Sequence, residues 1–138
     1  MAKTVAIVGA TGTLGSAVVQ QFARYGWSVH GCSKHGGMMM VGLDAAAVDV
    51  TDEAAVEAWL GDVATYRRGI SALVCCQGVS LVKPSLDLTA EEWRRVVDVN
   101  LTGVFLCARE AIRQGAKRIV TVGSIHGCTP TSYPQRAA

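Results

Sequence analysis

The segment Val5–Gly15, Val-Ala-Ile-Val-Gly-Ala-Thr-Gly-Thr-Leu-Gly, constrains this chain more than any other. An apolar, largely β-branched run from Val5 to Val8 stops at Gly9, and Gly12 and Gly15 follow. Leu14, Ala17, Val18 and Phe22 then recur at helical spacing. A buried strand, a glycine-rich turn and a helix start form the geometry that holds a dinucleotide pyrophosphate. Gly9 permits the tight turn, Gly12 lets backbone N–H groups reach phosphate oxygens, and Gly15 lets the helix pack close to the strand. The positive end of the helix then faces the anion. With Thr11, Thr13 and Leu14 between them, these glycines are the candidate phosphate-binding residues. The spacing is Gly-x-x-Gly-x-x-Gly, not the commoner Gly-x-Gly-x-x-Gly, and a tight strand–helix turn that binds nothing has the same look. The rest of the chain must decide.

A length of 138 residues suits one domain with a real core, residues 1–138, but not two. Half of the residues are apolar, glycines number 15 and aromatics are few, which fits an α/β sheet with tight turns. The net charge of +2 comes from scattered lysines and arginines, so no basic stripe marks a nucleic-acid partner. No apolar run approaches the ~20 residues of a membrane span. Met1-Ala2-Lys3-Thr4 leads straight into the first strand and leaves no room for a signal peptide. Five cysteines (Cys32, Cys75, Cys76, Cys107, Cys128) are an odd number without metal-ligand spacing. They read as reduced thiols, small hydrophobes of a cytoplasmic protein.

Along the chain, strands alternate with helices. A helix over 13–25 ends at Gly26, a good left-handed terminator, and Ser28 to Cys32 forms a second strand. At the tip of such a strand an acid would grip the ribose hydroxyls of NAD. Here the tip reads Ser33-Lys34-His35, so Lys34 pairs with a 2′-phosphate and Ser33 donates to it, unless Lys34 is a solvated surface lysine. Gly36 to Gly42 reads as a loop, with Met38-Met39-Met40 filling gaps in the core. Ala45 to Val50 is a third strand. Thr51 or Asp52 caps a helix carrying Ala55, Val56, Trp59, Leu60 and Val63, and Asp52 and Glu53 are its N-terminal charge. Ile70 to Cys76 is a fourth strand turning at Gln77-Gly78. Thr89 and Glu92 form a capping box for a helix with Trp93, Val96 and Val97. A second helix carries Val104, Phe105, Ala108 and Ile112, and Arg118 to Val122 is a fifth strand. The pattern implies a doubly wound parallel sheet with right-handed crossovers.

Five stretches in order now resemble the short-chain dehydrogenase/reductase family over essentially the full length. They are the turn Gly9–Gly15, Asp49-Val50, Gly78, Val97-Asp98-Val99-Asn100-Leu101-Thr102-Gly103, and Val120-Thr121-Val122-Gly123-Ser124. The resemblance implies a Rossmann-type sheet and hydride transfer between a nicotinamide and a carbonyl or alcohol substrate. It implies that Asp49 contacts the adenine amine, with Val50 beside it, and that the turn at Gln77-Gly78 lines the cofactor cleft. Asn100 becomes the family's structural and proton-relay asparagine, unless it is merely a turn residue. Ser124 becomes the serine that hydrogen-bonds the substrate carbonyl. With Ser33 and Lys34, NADP is the expected cofactor, NAD the other possibility. The helix from about Leu101 to Gln114 is expected to pair with its copy in a homodimer or homotetramer.

The departures are specific. The family's Asn-Asn-Ala-Gly is here Cys75-Cys76-Gln77-Gly78, which removes the side chains that brace that turn, and Thr13 stands where many members carry glycine. No Tyr-x-x-x-Lys is present: Tyr133 is the last tyrosine and Ala137 lies four beyond it. A tyrosine without that lysine keeps a pKa near ~10. The tail Gln135-Arg136-Ala137-Ala138 looks like what the family places just before its catalytic tyrosine. The expectation is therefore a sheet incomplete on its C-terminal side and a segment inactive by itself. A non-catalytic dinucleotide sensor is the competing class, favoured by the missing Tyr/Lys pair, whereas Asn100 and Ser124 favour an oxidoreductase. A sugar-nucleotide epimerase relative has only the glycine spacing behind it.

Overall fold

β1 (Thr4–Val8) is buried along its whole length, as a central parallel strand covered on both faces must be. It leads into α1 (Thr13–Arg24), β2 (Ser28–Ser33), β3 (Gly37–Met38), β4 (Asp44–Ala47), α2 (Glu53–Arg67) and β5 (Ala72–Cys75). Then follow β6 (Leu81–Val82), a short 3-10 turn Ser85–Asp87, α3 (Ala90–Val97), α4 (Gly103–Arg113), β7 (Arg118–Thr121) and β8 (Arg136–Ala137). The computed structural model describes residues 3–42, 44–67, 69–127 and 136–137.

The six-stranded sheet runs β3-β4-β2-β1-β5-β7, and β6 pairs separately with β8. All neighbours in the large sheet are parallel except β3, which runs antiparallel to β4. From β1 the chain moves outward through β2 and β4, then returns across the sheet to β5 and β7. The direction of winding therefore reverses between β1 and β5, where a doubly wound sheet opens a ligand crevice at its carboxyl edge. This is the α/β architecture that the alternation implied.

The two-residue period of β1 divides the core. Ala6 and Val8 face α2 and α4, joining Leu60, Leu73, Leu106 and Ala111. Val5 and Ile7 face α1 with Val19, Val29 and Val74. Cys32, Cys75 and Cys107 belong to the first cluster, and burial pushes the Cys75 and Cys107 thiols up to about 12. They act as the small hydrophobes expected; Cys128 lies outside the described residues.

Several expectations need correction. The Gly36–Gly42 loop contains β3, a two-residue antiparallel edge strand. Of the three methionines only Met39 is core, whereas Met38 and Met40 are 74% and 68% exposed. Met39 covers Gly31, where a Cβ would collide with its sulfur. The third strand ends at Ala47, three residues early, because Asp49 starts a turn closed by its own contacts to Thr51. The two expected helices α3 and α4 run on through a π-helical turn, Asp98–Thr102, with helical backbone at Val97 and Gly103. No residue there breaks a helix, so one extra residue per turn is absorbed without a stop. The capping signals are as read: Asp52 accepts from the Ala55 N–H at 3.2 Å, and Thr89 and Glu92 form the reciprocal box.

Candidate functional site

The glycine turn is held by backbone contacts no side chain would allow. Gly9 has φ +74°, and a Cβ there would lie 2.8 Å from the Gln77 nitrogen. Its N–H and that of Ala10 both donate to the Cys32 carbonyl at the end of β2, at 2.9 and 3.0 Å. A Cβ on Gly15 would overlap the Gly9 carbonyl oxygen, so α1 seats directly on the turn. Gly12 precedes α1, and among the described residues no side chain caps that helix. The Ser16 N–H donates to the Gly12 carbonyl at 2.8 Å, which leaves the N–H groups of Thr13, Leu14 and Gly15 in the uncapped first turn. Thr11, Thr13 and Leu14 are exposed there.

A cleft of about 630 Å³ opens at the reversal point. Gly9 and Gly12 line it with Ser33, Lys34, Asp49, Val50, Gln77 and Gly78, so most of the anticipated cofactor residues converge on one space. Lys34 Nζ sits 2.8 Å from Asp49 Oδ2. Asp49 Oδ1 accepts from the Thr51 hydroxyl at 2.8 Å and from the Thr51 N–H at 3.1 Å. Lys34 and then Thr51 hold the Asp49 carboxyl down to about 2. Ser33 donates its hydroxyl to the Gly36 carbonyl at 2.6 Å, so here its proton is spent on the β2–β3 turn and not on a ligand. The sequence reading missed the opposite wall, where Glu91, Arg94, Arg95 and Asp98 line the cleft from α3 and the π-turn. Their spacing of three and four residues was the available signal.

The turn after β5 has lost the asparagines of the family pattern, yet it is braced from outside. Asn100 Oδ1 accepts from the Val79 N–H and Asn100 Nδ2 donates to the Val79 carbonyl, both at 2.8 Å. Asn100 Oδ1 also lies 3.6 Å from where a Gly78 Cβ would stand. Gln77 fills the position of the family's alanine with a side-chain amide whose Nε2 and Oε1 are buried. Ser124 follows β7 at the sheet's carboxyl edge and is exposed. Neither Asn100 nor Ser124 lines the cleft itself. Tyr133 and Gln135 lie outside the described residues. Among the described residues no helix is long and apolar enough to cross a membrane, and no His, Cys, Asp and Glu side chains gather in a metal-binding group.

A doubly wound parallel sheet with a glycine-turn cleft at its reversal point is a nucleotide-binding fold of the Rossmann type. The short chain dehydrogenase family model matches residues 3–135, and the chain belongs to that family. It is 34% identical to 3beta-hydroxysteroid dehydrogenase 1 of Eggerthella lenta over 93% of this chain and 55% of that protein. Among solved structures, a short-chain type dehydrogenase/reductase from Mycobacterium marinum superposes with a TM-score of 0.90. It is 29% identical over 98% of this chain and 61% of that one. A short chain dehydrogenase from Leptospira borgpetersenii, crystallised with bound NAD+, gives a TM-score of 0.85 at 26% identity. The match covers 96% of this chain and 55% of that one. The chain thus spans about half the length of the curated relative it matches.

Proposed function

We propose that this chain is the nucleotide-binding part of an NADP-dependent oxidoreductase acting on a carbonyl/alcohol pair. The observation that carries the reading is the uncapped α1 N-terminus behind a turn that tolerates only glycine at Gly9 and Gly15. Backbone N–H groups with no side-chain cap, at the positive end of a helix, suit a pyrophosphate. The residues present fit the dinucleotide: Thr13, Leu14 and Gly15 would hold its phosphates, Asp49 and Val50 its adenine, and Lys34 a 2′-phosphate. When bound, the nicotinamide supplies or accepts the hydride. Asn100 keeps the Gly78–Val79 backbone in place, and Ser124, at the sheet's carboxyl edge, would hydrogen-bond the substrate oxygen. This 138-residue segment contains no Tyr-x-x-x-Lys, so by itself it binds nucleotide without turnover. NAD+ in the Leptospira relative is consistent with a nicotinamide dinucleotide here, and Lys34 in place of an acid favours the phosphorylated form.

The test is fluorescence titration of NADPH and NADH into the protein as its gene encodes it. NADPH is expected to bind about ten- to a hundredfold tighter, the worth of one charge-assisted phosphate contact. Lys34→Asp is expected to reverse the order. Equal affinities would discard the NADP assignment, and no binding of either would discard the oxidoreductase reading.

We also infer that the outer face of α3 and α4 pairs with a second copy. Trp93, Leu101, Phe105 and Ile112 are each at least half exposed along it, and a two-fold pairing is the commonest way to cover such a face.

A further inference from the structure

We propose that Asp49 is a determinant of cofactor choice in this cleft, because it engages Lys34 and so handicaps a 2′-phosphorylated dinucleotide against one with a free 2′-hydroxyl. The inference rests on the reading that a nicotinamide dinucleotide occupies the cleft with its 2′ position at Lys34. The two residues meet through sheet register. Ser33 of β2 lies opposite Ala47 of β4, and the Val48 N–H donates to the Ser33 carbonyl at 2.9 Å. Lys34 is thus the first residue past the end of β2 and Asp49 the second past the end of β4, and their charges close to 2.8 Å.

Asp49 is not free to swing aside. Both Thr51 donors hold its Oδ1, which leaves Oδ2 aimed at the lysine. An incoming 2′-phosphate must share that one ammonium with a fixed carboxylate. Lys Nζ has three donors, so sharing is geometrically possible, but the phosphate and carboxylate then repel across a short distance. A 2′-hydroxyl carries no charge and meets no such penalty. The far wall offers no net compensation, since Arg94 and Arg95 face the cleft together with Glu91 and Asp98. The side chains of Lys34 and Asp49 are 63% and 36% exposed, so water and salt moderate the effect.

The test compares the dissociation constants of NADP+ and NAD+ for the gene-encoded wild type, Asp49→Asn and Lys34→Gln. Asparagine keeps an Oδ1 acceptor for Thr51, while its Nδ2 replaces Oδ2 and so removes both the charge and the acceptor that hold Lys34. Any contact between residue 49 and adenine is common to both nucleotides and cancels in the ratio Kd(NAD+)/Kd(NADP+). That ratio is expected to rise about two- to fivefold in Asp49→Asn, the scale of one exposed charge pair, and the gain should shrink as salt is raised. Lys34→Gln should lower the ratio. Asp49→Ser, which removes the charge with a different side chain, must move it the same way as Asp49→Asn, with thermal melts confirming that both variants fold. An unchanged or lowered ratio in the Asp49 variants overturns the inference. A wild type that prefers NAD+ but still shifts toward NADP+ in Asp49→Asn upholds it while overturning the NADP assignment. Failure of the wild type to bind either nucleotide removes both.

Discussion

Asn100 shows how one side chain can brace a turn from a distant element. Its amide satisfies both the N–H and the C=O of Val79, a bidentate fit that needs a donor and an acceptor on one planar group. Asn100→Ala should cost about 0.5–1.5 kcal/mol, the net worth of a hydrogen bond where water can take over the freed groups. Asn100→Asp should hurt as well, because a carboxylate accepts from the Val79 N–H but repels its carbonyl. Urea denaturation of both variants measures this, and a neutral Asn100→Ala would show that the clamp does not hold the turn. His30 gives a pH prediction. Burial, followed by the charge of Arg67, holds its pKa below the usual 6.5. The unfolded chain therefore takes up the proton more readily than the folded one, so stability falls as pH drops through about 6.5. Melts at about pH 7.5 and about pH 5.5 should show this loss, and it should be smaller in His30→Gln.

At the scale of elements, the cleft's walls depend on two helix starts built in opposite ways. α3 closes its own start: Thr89 accepts from the Glu92 N–H at 3.2 Å and Glu92 accepts from the Thr89 N–H at 2.9 Å. Lys83 adds a 2.9 Å ion pair to the same carboxylate, tying the segment after β6 to the helix. Thr89→Ala should cost about 0.5–2 kcal/mol, seen as a lowered urea midpoint. α1 is left without a side-chain cap, which suits a helix whose start serves a ligand. Gly15→Ala should abolish nucleotide binding, because its methyl overlaps the Gly9 carbonyl and lifts α1 off the turn. Retained affinity by titration would contradict that account of the turn.

For the whole molecule, α3 and α4 leave one apolar face uncovered. Phe105 lies 5.2 Å beneath the Arg109 guanidinium, which also pairs with Glu53 on α2. The aromatic edge is thus framed by charge, an apolar centre with a polar rim. Phe105→Asp together with Ile112→Asp should convert a dimer or tetramer to monomer in light scattering, with the far-UV circular dichroism spectrum kept because both side chains are exposed in the single chain. A wild-type monomer would remove the oligomer proposal.

The sequence by itself determined what depends on near neighbours. The strand–turn–helix at Gly9, Gly12 and Gly15, the capping box at Thr89 and the alternation of strands and helices all follow from steric and hydrogen-bonding rules acting within a few residues. Tertiary structure decided which distant residues meet. No local rule says that Lys34 will spend its charge on Asp49, since that follows from how β2 and β4 align. None says that Asn100 will clamp the turn after β5, because it reaches Val79 across 21 residues of chain through a π-turn that periodicity did not reveal. Nor could the pattern separate Met39 from Met38 and Met40, whose burial depends on an edge strand folding back over Gly31. Propensity and capping are short-range and legible residue by residue, whereas register and crossover bring groups together only once the whole sheet has closed.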